Sequence, residues 1–215
     1  MGTSIARIEN FLLQKENWIE KSLQQLEKET QRFPQKQFIE GEKFIFRGEN
    51  LSLTLVPTPL KRLFFSMDAL NFSGQLRMHV PHQPLKGESE RHIESALSIL
   101  REFYRRESEK YIRKQIEIWS QAMQLFPQKL KFRNQKTRWG SCSNRGSIQI
   151  NWRLIGAPVQ VIDYILVHEL AHLQEMNHSD SFWRLVKMHD PNFETSEKWL
   201  RENSSALDFL LPHSN

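Results

Sequence analysis

The chain has 215 residues, 39% of them hydrophobic and 11% aromatic, which is enough apolar side chain for a buried core and too much for a disordered chain. Its 30 Lys and Arg against 25 Asp and Glu leave a formal charge of +5, spread along the chain rather than gathered in a block, so a polybasic tail is excluded and an anionic partner only weakly favoured. A single cysteine, Cys142, excludes an intrachain disulfide framework; with no signal-like or bilayer-length apolar run, a cytoplasmic protein without a membrane partner is expected.

From Ile5 to about Lys28 apolar residues recur at helical spacing (Ile5, Ile8, Leu12, Ile19, Leu23, Leu26), predicting an amphipathic helix that packs on a core. Lys43 to Val56 carries β-branched and aromatic residues around the turn-like Arg47-Gly48-Glu49-Asn50 and reads as a hairpin, and Leu76 to Val80 as a short strand closed by Pro81. Between Glu88 and Phe126 neither proline nor glycine interrupts a charged, periodic run, which predicts one long helix or two joined ones. Lys129 to Arg133 alternates as a strand does. Asn144-Arg145-Gly146 supplies a turn, and Ser147 to Leu154 the strand beyond it. These elements suggest an N-terminal helix and hairpin part, residues 1–90, and a second part, residues 91–215, with a soft boundary.

Chemistry concentrates in the last third. Pro158 stands where a helix begins, and VQVIDYILVHELAHL after it is apolar enough for a buried helix. Residues four apart share a helix face, so His168 and His172 can reach one ion, while Glu169, turned by about 100°, can address a water there. Tetrahedral zinc needs a third protein ligand. His178 can serve only if the helix ends between it and His172; Asn177, tolerant of the left-handed conformation, would turn the chain, and Ser179 would cap the next helix, DSFWRLVKMH. Glu194 and Glu197 are rival third ligands. Cys142 is a weaker one, and Trp152, Trp183 and Trp199 read as core. Asp163, upstream of His168, is a possible orienting partner that helix geometry alone does not place.

The run from Gln135 to Leu200 contains, in order, KTRWGSC, NWRL, VIDY, HELAHL, NHS and FW. It closely resembles the YgjP-like family of zinc metallopeptidases, related to the WLM and SprT families, and PQKQFIEGEKFIFRGENLSL upstream looks like the same family more loosely. The resemblance implies a zincin-like α+β fold with a small mixed or antiparallel sheet and a buried active-site helix. It further implies Zn²⁺ held by His168, His172 and His178, with Glu169 as the catalytic carboxylate. Glu175 stands where the metzincin pattern has glycine, so a straightforward metzincin is excluded. Strands that the family has ahead of the first helix are not found here, so either a shortened form or a start-site artefact is expected, with the catalytic part untouched.

The expected activity is zinc-dependent hydrolysis of peptides or proteins, with Glu169 as general base. The strand after Arg138-Trp139-Gly140-Ser141-Cys142 would lie beside the cleft, where a sheet edge binds extended peptide, making Arg138 and Trp139 candidate substrate-binding residues; packing roles are the competing reading. Two other readings stand beside it. One is a phosphoanhydride hydrolase acting on nucleoside triphosphates, with Lys136, Arg138 and Arg153 collecting phosphate. The other is a DNA-associated protein with gated or no peptidase activity, contacting DNA around Lys129, Lys131 and Arg133, for which no finger, helix-turn-helix or basic block is present.

Overall fold

The computed structural model describes residues 5–32, 36–67, 74–81 and 89–210. The chain divides into two compact units, Met1–Gln35 and Lys36–Asn215, so the boundary expected near residue 90 falls inside the second.

The first unit is helix α1, Ile5–Arg32. Its helical periodicity is as expected, and among the described residues of the unit its apolar stripe has nothing packed on it. Ile5, Ile8, Leu12 and Leu23 are exposed, because a unit made of one helix has no second element to cover the stripe.

The second unit is α+β, with two small mixed sheets. Strands β1 (Lys43–Phe46) and β2 (Glu49–Thr58) form the expected hairpin. Its two-residue turn has positive φ at both Arg47 (49°) and Gly48 (80°), the primed geometry that matches strand twist. With β3 (Phe64–Ser66) and β4 (Gln75–Pro81) they make a sheet of order β1-β2-β4-β3, in which β2 and β4 run parallel. Alternate residues Phe44, Phe46, Leu51, Leu53, Leu76 and Met78 are buried, as the period of two requires. Against them lies α2, Ser89–Met123, one unbroken helix that buries Leu97, Leu100, Phe103 and Tyr104.

The hairpin turn is pinned to the segment ahead of Pro158. The Arg47 and Gly48 N–H groups donate to the carbonyls of Ile155 and Gly156 at 2.7 and 3.1 Å, and the Tyr104 hydroxyl donates to the Ile45 carbonyl at 2.9 Å.

The second sheet, β5 (Lys129–Arg133), β6 (Gly140–Cys142) and β7 (Ser147–Asn151), has the order β5-β7-β6, so β6 is an edge. The strand expected to run to Leu154 stops at Asn151. There the Asn151 side chain accepts the Arg153 N–H and caps a 3₁₀ turn, Trp152–Gly156. Helix α3 (Val159–Ala171) follows Pro158 and is buried over most of its length; α4 (Asp180–His189), α5 (Phe193–Asn203) and a 3₁₀ segment (Ser204–Leu210) complete the unit. Among the described residues no helix is long and apolar enough to cross a membrane.

Candidate active site

Helix α3 ends at Ala171, and His172 keeps right-handed helical dihedrals (φ −64°, ψ −15°), so it stays in register with His168 one turn back. Their ring centroids are 4.9 Å apart. The chain then reverses without a left-handed residue, contrary to the role expected of Asn177, since the only non-glycine positive φ values among the described residues are at Phe38, Arg47 and Gln124. Tight bonds do the work instead: Leu173 N–H to Leu170 O, Gln174 and Glu175 N–H to Ala171 O, and Ser179 N–H to Asn177 O. Ser179 is the expected N-cap of α4, its hydroxyl accepting the Phe182 N–H at 3.3 Å. The reversal returns His178 to within 5.0 and 4.8 Å, centroid to centroid, of His168 and His172. Ser179→Ala is expected to lower stability by about 1 kcal/mol in urea denaturation, the usual value of a cap.

The three imidazoles form a group able to hold a metal ion, with their nitrogens within 4.8 Å of one another. Nε2 of His178 lies 3.1 Å from Nε2 of His168. On a tetrahedral zinc with Zn–N bonds of about 2.0–2.1 Å, two nitrogens stand about 3.3 Å apart, so the donor set fits that ion. His172 Nδ1 is 3.0 Å from the Glu175 carbonyl. A carbonyl only accepts, so Nδ1 carries the proton and Nε2 keeps its lone pair for a metal. Burial, then the neighbouring His172 and His178, pushes the His168 pKa down to about 3. It is therefore neutral across the physiological range. Phe182 stacks on His172 at 4.5 Å and meets the other two rings edge-on, while Trp183, half-buried, stacks on His178 at 5.7 Å.

Glu169 is 5% exposed, and its Oε2 has no hydrogen-bond partner. Burial pushes its carboxyl up to about 8, with Arg138 pulling the other way. What makes room for it is Gly140, on edge strand β6. A Cβ built there would overlap the Glu169 carboxylate and its Cγ, so any larger residue must displace the acid. The sequence carried a signal for this, since glycine inside a strand marks a close approach of another group. Gly140→Ala is expected to keep the bound metal, cost about 1–3 kcal/mol in overpacking and reduce kcat by about 100-fold, the effect of a 1 Å misplacement. Metal analysis and steady-state kinetics on the same sample test this.

The other candidates separate. Cys142 is not in the histidine cluster, and its thiol, pushed up to about 11 by burial and by Glu169, stays protonated, donating to the Ser143 carbonyl at 3.6 Å. Glu194 and Glu197 are exposed on α5, also outside the cluster. Asp163 accepts the Trp119 indole N–H at 3.0 Å and so ties α3 to α2. Arg138 is exposed, and its charge reaches Glu169. Trp139 packs beneath the Arg153 guanidinium at 5.0 Å, and its carbonyl accepts the Asn151 N–H at 2.8 Å. Arg153 is fully buried, with its guanidinium bonded to Asn134, Gln135, Leu207 and Asp208, so it cannot collect phosphates from solution as the triphosphate reading required.

A family model described as YgjP-like, metallopeptidase domain, matches residues 1–203. No curated protein sequence matches the chain. Among solved structures, the chain is similar to the crystal structure of the metallopeptidase zymogen of Pyrococcus abyssi abylysin, with 26% identity and a TM-score of 0.38 over 43% of this chain and 92% of that one.

Proposed function

The chain belongs to the YgjP-like metallopeptidase family, and from that premise we propose a zinc-dependent peptidase in which His168, His172 and His178 hold the ion and Glu169 manages the proton of the attacking water. The observation that carries the reading is the convergence of three imidazole nitrogens within 4.8 Å, with the next residue along from His168 a buried carboxylate whose Oε2 has no hydrogen-bond partner. Bound zinc supplies the Lewis acidity that lowers the pKa of water and polarises a carbonyl.

The residues of the chain supply the rest. Glu169 Oε2 has no hydrogen-bond partner to give up, and once a cation at the neighbouring histidines favours the carboxylate over the acid, it takes a proton from water and returns it to the leaving amine. Arg138 is exposed and its charge acts on Glu169; in this reading it offsets negative charge on a tetrahedral oxygen.

Edge strand β6 offers the substrate a backbone template. The bonds Asn151 N–H to Trp139 O and Ser143 N–H to Ser147 O put residues 139, 141 and 143 in phase with β7. The N–H and C=O groups of Gly140 and Cys142 therefore point to the open side, where an extended peptide adds as a further strand beside Glu169.

The test incubates zinc-loaded protein with a mixed peptide library and, separately, with nucleoside triphosphates, and reads products by mass spectrometry. Cleaved peptides with intact triphosphates are expected. Released pyrophosphate with intact peptides would replace the peptidase reading by a phosphoanhydride one.

A further inference from the structure

We propose that the C-terminal segment Ser204–Leu210 is a strap that holds the substrate edge of the site in place, with Asp208 as a positioning residue acting through the buried Arg153. The proposal rests on the peptidase reading for its functional consequence.

Arg153 stands between two parts of the chain that share no strand. On one side its Nε donates to Asn134 Oδ1 at 3.1 Å, its Nη2 donates to the Gln135 carbonyl at 2.7 Å, and its plane lies over the Trp139 ring. On the other side its Nη1 donates to the Leu207 carbonyl at 3.4 Å and to Asp208 Oδ1 at 2.6 Å. The guanidinium is planar and rigid, so fixing one side of the fork orients the other. Its side chain has no exposed area, whereas that of Asp208 is half exposed, and Asp208 is the only carboxylate among the described residues paired with it. A buried cation without its counter-ion is strongly unfavourable, so loss of Asp208 draws Arg153 towards water and away from Gln135 and Trp139.

The strap is seated rather than draped. Leu207 is fully buried, and a Cβ built on Gly156 would meet its side chain at 2.5 Å. The segment held on the far side, Asn134 to Trp139, has neither helix nor strand of its own. Besides Arg153, the Asn151 side chain secures it, donating to the carbonyls of Gln135 and Arg138 at 2.7 and 3.2 Å. It leads directly into Gly140, against which Glu169 rests, and it carries Arg138. The family match covers residues 1–203, and the strap follows it.

The experiment compares full-length wild type, Asp208→Ala, Asp208→Asn and Asp208→Glu, all zinc-loaded, by amide hydrogen exchange, zinc content and peptide kinetics. Exchange is expected to rise in residues 134–143 of Asp208→Ala while amides of α3 keep wild-type protection. Zinc content should be unchanged and KM raised about tenfold with a smaller fall in kcat, as for lost substrate positioning. Asp208→Glu should restore both readouts. Asp208→Asn, which removes the charge but keeps an acceptor, should fall between, and it decides the matter if the alanine variant does not fold. Wild-type exchange and KM in both Ala and Asn variants overturn the strap, as does a rise spread evenly through α3, which would make Asp208 a stability residue only. A wild type that cleaves no peptide sinks the peptidase reading, and the exchange pattern still decides the strap.

Discussion

Glu169→Gln is expected to bind zinc one-to-one, as wild type does, and to lose peptide turnover by about 10³-fold, within the range that a positioned general base contributes. Glutamine has the same shape, so it fits beneath Gly140 without strain and leaves the three imidazoles where they are. It cannot take a proton from water. A second readout separates this role from a structural one. With its carboxyl pushed up to about 8, Glu169 in the metal-free protein is mostly protonated at pH 7. A cation arriving at the neighbouring histidines favours the carboxylate, so metal uptake by wild type at pH 7 releases about one proton more than uptake by the glutamine variant. Calorimetry in two buffers of different ionisation enthalpy measures that difference. Full activity in Glu169→Gln would remove the residue from the mechanism, and equal proton release would remove the electrostatic argument.

His178→Ala is expected to weaken zinc binding by more than about 100-fold, since loss of a residue that merely orients a ligand already costs 10–100-fold, and to abolish turnover at stoichiometric zinc. His178 is the exposed member of the cluster and reaches it by way of the turn after α3. Its replacement removes a donor without opening a core cavity, so folding should be preserved. Elemental analysis after gel filtration, with circular dichroism as the folding control, is the measurement. Undiminished zinc would transfer the third position to another residue, and Glu197→Ala and Glu194→Ala in the same background would then identify it.

Much of the site was readable because its parts are close in sequence. His168, Glu169 and His172 lie on one helical turn, and the spacing of i and i+4 fixes their common face whatever surrounds the helix. Ser179 as a cap and the Arg47-Gly48 turn are equally local, set by side-chain oxygen chemistry in one case and by glycine's tolerance of positive φ in the other. The turn after α3 departed from expectation through short-range bonds, but at Asn151 and Arg153 the deciding contacts came from farther along the chain. Asn151 ends β7 early partly because its amide is taken by Gln135 and Arg138. Arg153, which looked like a surface cation, is drawn inside by acceptors up to 55 residues away. The stripe on α1 was correctly periodic, yet periodicity states which face is apolar and not what covers it.

The sequence by itself therefore determined the secondary structure around the site, the two helical histidines with their glutamate, and the family, because each depends on short-range spacing and side-chain chemistry. Only the tertiary structure decided that His178 returns to complete the cluster, that Gly140 on a separate strand makes room for Glu169, and that Arg153 is a buried tie rather than a phosphate collector. Those three facts are set by packing between segments distant in sequence. The free energy of burying a carboxylate or a guanidinium depends on which groups the fold gathers round it, and no local pattern encodes that.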